Sequence, residues 1–342
     1  MTSPTTAAQP LGFGRIFTDH MVVAEYTAKG GWGPHRVAKR ADFQLDPAAS
    51  VLHYGQALFD GAKAFLGHDG KLRVFRLDAH LARMQRGAQR LCMPPVDAEA
   101  LRKSILQLLD TDRAHAPTGE GQSVYIRPIL FGTEGFLGVR PSESYTLFVI
   151  LSPVGNYYEA GTKPLRLWVE REDVRAAPGG LGEAKTGANY LASLAAAQKA
   201  KARGYDQVLW LDAITRNKLE EVGTMNLFVQ IGDTVITPPL DGTILPGITR
   251  ASSLALLRSW GVNAEERAIT FDEVRGAVKA GTLRGIFGTG TAAVVAPVGE
   301  LGTAEETLTI PTGQDVSPRL LDAITRLQRG LSDDPNGWMT TV

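Results

Sequence analysis

The sequence has little of several features that mark particular classes of protein. Its 342 residues include one cysteine, Cys92, which excludes internal disulfide bonds and fits a reducing cytoplasm. No histidine is near Cys92 in sequence, so we expect it to pack rather than react. Lysine plus arginine and aspartate plus glutamate each number 36, and this balance gives no global attraction to nucleic acid or an anionic membrane. We expect a cytoplasmic protein without either partner.

Long apolar runs are also absent. The most apolar stretch, residues 145–151, is far too short to span a bilayer and predicts a buried strand. The first 14 residues have no basic start and no apolar run, so we expect no signal peptide. No internal repeat or low-complexity segment appears. A hydrophobic content of 44% with 21% charged residues is typical of a globular protein, and the length favours two domains.

Helical and strand patterns alternate along the chain, which indicates an α/β (α+β) protein. Turn residues without periodicity between 152 and 164 indicate a junction, so we expect domains at 1–159 and 166–342 and a linker at 160–165. The predicted helices are 78–91, 97–109, 189–203, one ending near Trp260, one capped by Thr270 and Glu273, and 317–330. The predicted strands are 123–131, 145–151, 165–170, 207–211, 219–230, 283–287 and 294–298.

The stretch 175–190 concentrates glycine around one lysine, Lys185, and ends at Tyr190, where an alanine-rich helical pattern begins. Glycines allow tight turns and a close approach of the backbone to a ligand. A lysine held there can lose its hydration, which lowers its pKa and makes the neutral amine nucleophilic, as a Schiff-base lysine requires. On this segment alone, a flexible surface loop that contains a lysine is an equal alternative.

A second glycine motif, residues 288–293, matches the G-x-G-x-x-A fingerprint of dinucleotide-binding folds. Such a loop has to open a long helix, with an acidic residue about twenty positions further on. Here Pro297 follows within a few residues and would break that helix, while 294–298 has a strand pattern. We therefore reject a dehydrogenase.

Four motifs together resemble those of the branched-chain aminotransferases, a class IV family of pyridoxal 5'-phosphate enzymes. They are Lys185…Tyr190, Glu220-Glu-Val-Gly-Thr-Met-Asn226, Leu245-Pro-Gly-Ile-Thr249 and Gly290-Thr-Ala292, and they occur in the family's order and spacing. Runs at 17–23 and 52–65 extend the resemblance, although Asp60 stands where the family usually has glutamate. The resemblance implies fold type IV, with a smaller N-terminal α/β domain, a larger C-terminal pseudo-barrel domain, and pyridoxal 5'-phosphate as cofactor.

The resemblance also implies a role for each cofactor-binding residue. Lys185 would form the Schiff base and move the proton during catalysis, and Tyr190 would hydrogen-bond the phenolate oxygen of the cofactor ring. Glu221 would face the ring nitrogen, whereas we expect the adjacent Glu220 to be an exposed strand carboxylate. The phosphate would be held by Arg83, Thr291 and the amides of Ile248 and Thr249. No metal is expected.

The implied substrates are leucine, isoleucine, valine and glutamate, with their 2-oxo acids. Tyr125 and Ala292 would fix the α-carboxylate, and Arg127, on the same strand face as Tyr125, is our candidate for the side-chain carboxylate of glutamate. Val139 would close the site of a neighbouring subunit, so we expect a homodimer. The residues expected to line the side-chain pocket are Phe17, Tyr54, Phe59, Tyr157 and Thr224.

Two alternatives stay open at this point. A D-amino-acid aminotransferase or an aminodeoxychorismate lyase has the same fold and resembles the second half of the chain, but the run at 17–21 and Tyr54…Phe59 favour branched L-substrates. A non-catalytic binding protein on this fold is the more distant alternative. Lys185 and Glu221 argue against it, because a binding module needs neither.

Overall fold

A computed structural model of the chain describes residues 11–155 and 163–342. These residues form two nine-stranded sheets, the first antiparallel and the second mixed, and seven α-helices. The strands are β1 (His20–Thr27), β2 (Gly31–Trp32), β3 (Arg36–Lys39), β4 (Ala57–Phe59), β5 (Ala62–Leu66), β6 (Leu72–Phe75), β7 (Ser123–Gly132), β8 (Ser144–Val154), β9 (Leu165–Glu170), β10 (Gln207–Leu211), β11 (Leu219–Val222), β12 (Met225–Ile231), β13 (Thr234–Thr237), β14 (Asn263–Glu266), β15 (Leu283–Gly290), β16 (Val294–Gly302), β17 (Thr307–Thr309) and β18 (Met339–Thr341). The helices are α1 (Ser50–Tyr54), α2 (Leu77–Arg90), α3 (Ala98–Thr111), α4 (Gly187–Ala202), α5 (Ile248–Ser259), α6 (Phe271–Lys279) and α7 (Ser317–Gln328).

The first sheet has the order β18-β6-β5-β7-β8-β1-β2, with β3 paired to β1 and β4 paired to β7. The long antiparallel pair β7–β8 runs from Ser123 opposite Val154 to Gly132 opposite Tyr145. Helices α2 and α3 bury their apolar faces in the same core as these strands. Asp97 caps α3 as its sequence predicts, because its side chain accepts from the amide of Ala100 at 2.9 Å.

The second sheet closes on itself. Strands β11, β10, β9, β16, β15 and β12 pair in that order, and β12 pairs back to β11. Strands β13 and β14 continue from β12, and β17 pairs with β16. The buried apolar side chains of the closed ring form one core with those of α6. This closed sheet is the predicted pseudo-barrel, so the predicted fold class is confirmed.

The last strand returns to the first sheet, where β18 pairs antiparallel with β6. Trp338, just before it, packs edge-on against Phe75 of β6 at 5.9 Å between ring centroids. The division into 1–159, 160–165 and 166–342 stays a prediction, and it does not anticipate this return. Among the residues that the structure describes, no helix is long and apolar enough to cross a membrane.

Two local predictions are wrong. The stretch 219–230 is not one strand but two, β11 and β12, because Gly223 has a φ of +55° and reverses the chain between them. Cys92 is exposed rather than packed. It follows α2 with a φ of +54°, so the chain has already left the helical path at this residue.

Candidate active site

A cavity of about 260 Å³ lies between the two sheets, with walls from β7 of the first and β15 of the second. Most of the residues predicted for the site line this cavity. They are Phe59, Arg83, Tyr125, Arg127, Lys185, Tyr190, Thr224, Ile248, Thr249, Thr291 and Ala292. Glu221 lies in an adjoining recess that Lys185, Tyr190 and Thr224 also line.

Lys185 lies in this cavity, and its Nζ donates to the hydroxyl of Tyr190 at 2.7 Å. Burial, with a smaller contribution from nearby Arg83, lowers the pKa of Lys185 to about 8. Burial raises the pKa of Tyr190 to about 12, with help from the carboxylate of Glu221. The lysine can therefore become a neutral amine near neutral pH, while the tyrosine stays a hydrogen-bond donor.

The lysine segment is held in place by the first sheet. The amide of Phe59 in β4 donates to the carbonyl of Lys185 at 3.0 Å. The hydroxyl of Thr186 donates back to a carbonyl of β4 at 2.7 Å. The side-chain amide of Asn189 donates to two carbonyls of the preceding loop, at 2.7 and 2.8 Å. The glycine-rich stretch is therefore a fixed loop, and the flexible surface loop considered above is excluded.

Glu221 is 3% exposed and is held from two sides. One carboxylate oxygen accepts from the amide of Leu245 at 2.9 Å, and the other lies 3.2 Å from Nε of Arg175. Burial raises the pKa of Glu221, and the charge of Arg175 opposes that rise. Arg175 also donates to the carbonyls of Gly182 and Thr243. The sequence analysis missed Arg175, whose only signal was its place at the start of the lysine stretch.

Glu220 is buried, so the expectation of an exposed carboxylate is wrong. The loop that carries Thr243 lies against it, and the hydroxyl of Thr243 is 2.7 Å from one carboxylate oxygen. The other oxygen of Glu220 has no hydrogen-bond partner among the described residues. Burial raises the pKa of Glu220 to about 7. The two adjacent glutamates therefore lie on different sides of β11, in different surroundings.

The N-terminus of α5 forms an anion-binding end of the cavity. Gly247 precedes the helix in extended conformation and no side chain caps it, so the first amides, including those of Ile248 and Thr249, are free to bind an anion. A Cβ atom at position 247 would lie 1.8 Å from Oδ1 of Asn226, so any larger residue would displace that side chain. Arg83 reaches the same end, where it donates to the carbonyl of Pro246 at 3.2 Å.

Arg83 is buried, although it lies off the apolar stripe of α2. Its Nε and Nη2 donate to the two carboxylate oxygens of Asp60 at 2.9 and 2.7 Å, and Asp60 also bonds Nδ1 of His80. Burial alone would raise the pKa of Asp60, but Arg83 and His80 hold it well below its usual range. Asp60, which stands where the family that the sequence resembles usually has glutamate, is therefore the anchor of Arg83. Sequence alone gave no signal for His80.

Tyr125 and Arg127 share one face of β7, as their spacing predicts. Nη2 of Arg127 donates to the hydroxyl of Tyr125 at 3.1 Å, and its Cζ lies 4.8 Å from the ring centre of Phe59. Nε of Arg127 and the hydroxyl of Thr289 are buried without a hydrogen-bond partner among the described residues. The cavity therefore has unused polar groups on the walls that β7 and β15 form.

The glycine motif of residues 288–293 ends β15 and turns into β16. No helix follows it, which confirms the rejection of a dinucleotide-binding loop. Val294 has a φ of +63°, an uncommon conformation for a β-branched residue, so this turn is strained. Nζ of Lys63, which does not line this cavity, donates to the carbonyl of Ala292 in the turn at 2.7 Å.

Three predicted substrate residues are not brought into the cavity. Phe17 and Tyr54 are exposed, and Val139 is 87% exposed on the loop between β7 and β8. The hydroxyl of Tyr54 donates to the carbonyl of Leu137 on that loop. Tyr157 lies outside the described residues. The roles of these four residues stay predictions.

Comparison with known proteins identifies the family. Residues 57–301 match the amino-transferase class IV family. The chain is 47% identical over 341 residues to "Branched-chain-amino-acid aminotransferase 2" of Bacillus subtilis (strain 168), covering 99% of this chain and 94% of that protein. The structure of a branched-chain aminotransferase from Thermoproteus uzoniensis with norvaline is similar, with a TM-score of 0.78, 25% identity, and coverage of 94% and 99%.

A second similar structure is that of the branched-chain amino acid aminotransferase of Escherichia coli. Its TM-score is 0.78 and its identity 25%, with 94% of this chain and 98% of that chain covered. A third, with a TM-score of 0.77, 25% identity and coverage of 95% and 99%, is a branched-chain amino acid aminotransferase complexed with N-(5'-phosphopyridoxyl)-L-glutamate. The sequence match and these structural matches extend over nearly the whole chain. The chain belongs to the class IV aminotransferase family.

Proposed function

We propose that the protein is a branched-chain-amino-acid aminotransferase, which transfers the amino group of leucine, isoleucine or valine to 2-oxoglutarate and back. One observation carries the proposal. A partly buried lysine with a lowered pKa and an anion-binding helix end line one cavity, and a buried carboxylate lies in the recess that adjoins it. The relatives named above carry the same activity in their names.

The residues present fit pyridoxal 5'-phosphate. The free amides of α5, the hydroxyl of Thr291 and Arg83 would hold its phosphate, which prefers such donors. Tyr190 would donate to the ring oxygen and Glu221 would accept from the ring nitrogen. Lys185, between them, would carry the covalent bond. When bound, the cofactor supplies an aldehyde that takes up the amino group and a ring that withdraws electrons.

Lys185, Arg175 and Asp60 would each have a separate role in the reaction. Nζ of Lys185 would remove the proton from Cα of the amino acid and return it in the reverse reaction, for which a pKa near neutrality is suited. Arg175 would keep Glu221 ionised in a buried position, where burial alone favours the neutral acid. Asp60 would hold Arg83 in one orientation by two hydrogen bonds.

The substrate end combines one apolar wall with cationic and polar groups. Phe59 and Thr224 line it directly, and Phe17, Tyr54 and Tyr157 are proposed to complete the side-chain pocket. The α-carboxylate would bind at Tyr125 and the turn of Ala292. A glutamate side chain brings a second carboxylate, which is costly to bury unpaired.

We propose Arg127 for that second carboxylate. Its guanidinium lines the cavity, its Nε has no partner among the described residues, and nothing ties it to an acidic side chain there. Support comes from the related structure complexed with N-(5'-phosphopyridoxyl)-L-glutamate, because that bound molecule carries a glutamate moiety.

Arg127→Met tests this role. We expect the half-reaction with glutamate to slow by at least about 30-fold, as for loss of a buried charge partner, and the half-reaction with leucine to slow much less. The absorption change of the bound cofactor follows each half-reaction in a single turnover. Arg284→Met, at an exposed arginine of β15, is the matched control. Equal losses in both half-reactions would show that Arg127 only supports Tyr125.

We also propose a cytoplasmic homodimer. Apolar side chains are exposed on α1, on the loop after β7 and on α4, where a second copy could cover them. They are Leu52, Tyr54, Leu137, Val139, Leu191 and Leu194. Light scattering at micromolar concentration measures the mass directly. Val139→Asp should give monomers with lowered activity if the loop completes the partner's site.

The decisive experiment for the function is a visible spectrum of the purified protein, before and after addition of L-leucine. A cofactor band that changes with L-leucine and is restored by 2-oxoglutarate is the expected result. Faster turnover of D-alanine would favour a D-amino-acid aminotransferase, and pyruvate release from aminodeoxychorismate would favour the lyase. A spectrum that no amino acid changes would indicate a binding protein.

A further inference from the structure

A second cavity, of about 450 Å³, lies behind the turn that joins β15 to β16. The turn residues Ala292 and Ala293 line both this cavity and the proposed active site. Strand β5, helix α7 and strand β16 form its other walls. Apart from that turn, no group in the proposed reaction lines this space.

The charged residues that line the second cavity all have the same sign. Among the described residues around it, Lys63, Lys163 and Arg329 are cationic and none is acidic. Arg329 donates to the carbonyl of Gly119 at 2.6 Å, so its charge is not balanced by a carboxylate there. Since the whole chain has equal numbers of acidic and basic residues, this lining is a local excess of positive charge.

Lys63 is the buried member of this group, with 5% of its surface exposed. Its ammonium has three N–H groups, and the described structure gives it one acceptor, the carbonyl of Ala292. No carboxylate of the described residues forms an ion pair with it. A buried ammonium without a counter-ion is unfavourable. Burial accordingly lowers the pKa of Lys63 to about 8. An anion beside Nζ would satisfy both the charge and the free donors.

The rest of the lining is mainly apolar. It includes Phe65, Val295, Pro318 and Leu321. A ligand that suits these walls has a compact apolar body, and the single buried cation matches a single negative charge. We propose that the second cavity is a ligand site for a small apolar monocarboxylate, whose carboxylate binds Nζ of Lys63 and whose body packs against Phe65 and Leu321.

Isothermal titration of the cofactor-loaded enzyme with cyclohexanecarboxylate tests the proposal. The neutral cyclohexanecarboxamide has the same shape and serves as the ligand control. Lys63→Met removes the cation, and Thr325→Phe fills the cavity from α7 while leaving Lys63 in place. Asp322→Ala, at an exposed position of the same helix that does not line the cavity, is the protein control.

We expect the acid to bind at least about tenfold more tightly than the amide, a difference that Lys63→Met abolishes. Thr325→Phe should lose the site and Asp322→Ala should keep it. The cofactor's visible band reports any binding in the active site separately. Equal affinity of acid and amide for the unmodified enzyme, or unchanged binding in Thr325→Phe, would overturn the proposal even if Lys63→Met does not fold.

Discussion

The pair of Arg175 and Glu221 gives a prediction that needs no cofactor. Both side chains are under 9% exposed, and Nε of Arg175 lies 3.2 Å from a carboxylate oxygen of Glu221. Each buried charge is therefore compensated by the other. Arg175→Met leaves the carboxylate of Glu221 buried with only neutral hydrogen-bond partners, and Glu221→Gln leaves the guanidinium with carbonyls as its only hydrogen-bond partners among the described residues. Removal of one partner from a buried ion pair typically costs about 3–5 kcal/mol of stability.

The double variant Arg175→Met/Glu221→Gln should lose much less than the sum of the two single variants. Its buried groups are uncharged, so what remains is loss of the hydrogen bonds from Arg175 to two carbonyls, each worth about 1 kcal/mol. Two single losses of about 3–5 kcal/mol, against about 2 kcal/mol for the double variant, give an expected coupling free energy of at least about 4 kcal/mol. Urea unfolding of the cofactor-free protein at pH 7.5 measures all four free energies, without a contribution from bound cofactor.

The matched control is the exposed pair Arg166–Glu300, at 2.9 Å between nitrogen and oxygen in the same sheet. The same double-variant cycle there should give a coupling below about 1 kcal/mol, because solvent screens exposed charges. Additive losses at Arg175 and Glu221, or equal coupling in both pairs, would refute the claim that Arg175 keeps Glu221 ionised in a buried site.

Two further predictions concern the proposed chemistry. Lys185→Ala should abolish the visible cofactor band and the adduct trapped by borohydride; a peptide map with reduced cofactor on another lysine would contradict the assignment. Leucine, isoleucine and valine should all react within about two orders of magnitude of one another, because one methylene in an apolar pocket changes binding by about 1–3 kcal/mol, while alanine and aspartate should be much slower in steady-state assays.

Local sequence signals predicted every α-helix of the described residues except the short α1, because helix ends are decided by neighbouring residues. Thr270 accepts from the amide of Glu273 at 3.0 Å, as the capping box requires. The reciprocal hydrogen bond of the capping box, from the amide of Thr270 to the carboxylate of Glu273, is absent because that carboxylate accepts from Arg267 instead. That competing partner lies six positions away and belongs to a loop, so the local pattern could not indicate it.

Long-range pairs could not be predicted, because nothing near either residue in sequence specifies the other. Asp60 and Arg83 are 23 positions apart, and Lys63 and Ala292 are 229 positions apart. The resemblance placed Arg83 in the site but gave no reason for its burial, which depends on Asp60 and His80. Composition could identify the lysine loop, but the fixed position of Lys185 comes from strand β4 of the other sheet.

Glu220, which was expected to be exposed, is buried beside Thr243 and Asp241. The single hydroxyl proton of Thr243 cannot serve both Glu220 and Asp241, whose oxygens lie 2.7 and 2.8 Å from it. If Glu220 is protonated, it donates to Thr243, which in turn donates to Asp241. This arrangement agrees with a pKa that burial raises from 4.5 to about 7.

A raised carboxyl pKa contributes stability that is fully present below the unfolded pKa, near 4.5, and is lost as the pH rises through about 7. A rise of that size is worth about 3 kcal/mol, which solvent screening reduces to about 2 kcal/mol. Glu220→Gln keeps a neutral side chain at every pH. We therefore expect the variant to gain about 2 kcal/mol relative to the unmodified protein between pH 5 and pH 8. Urea unfolding at both pH values measures the difference, and a gap that does not change with pH would show that Glu220 is ionised throughout.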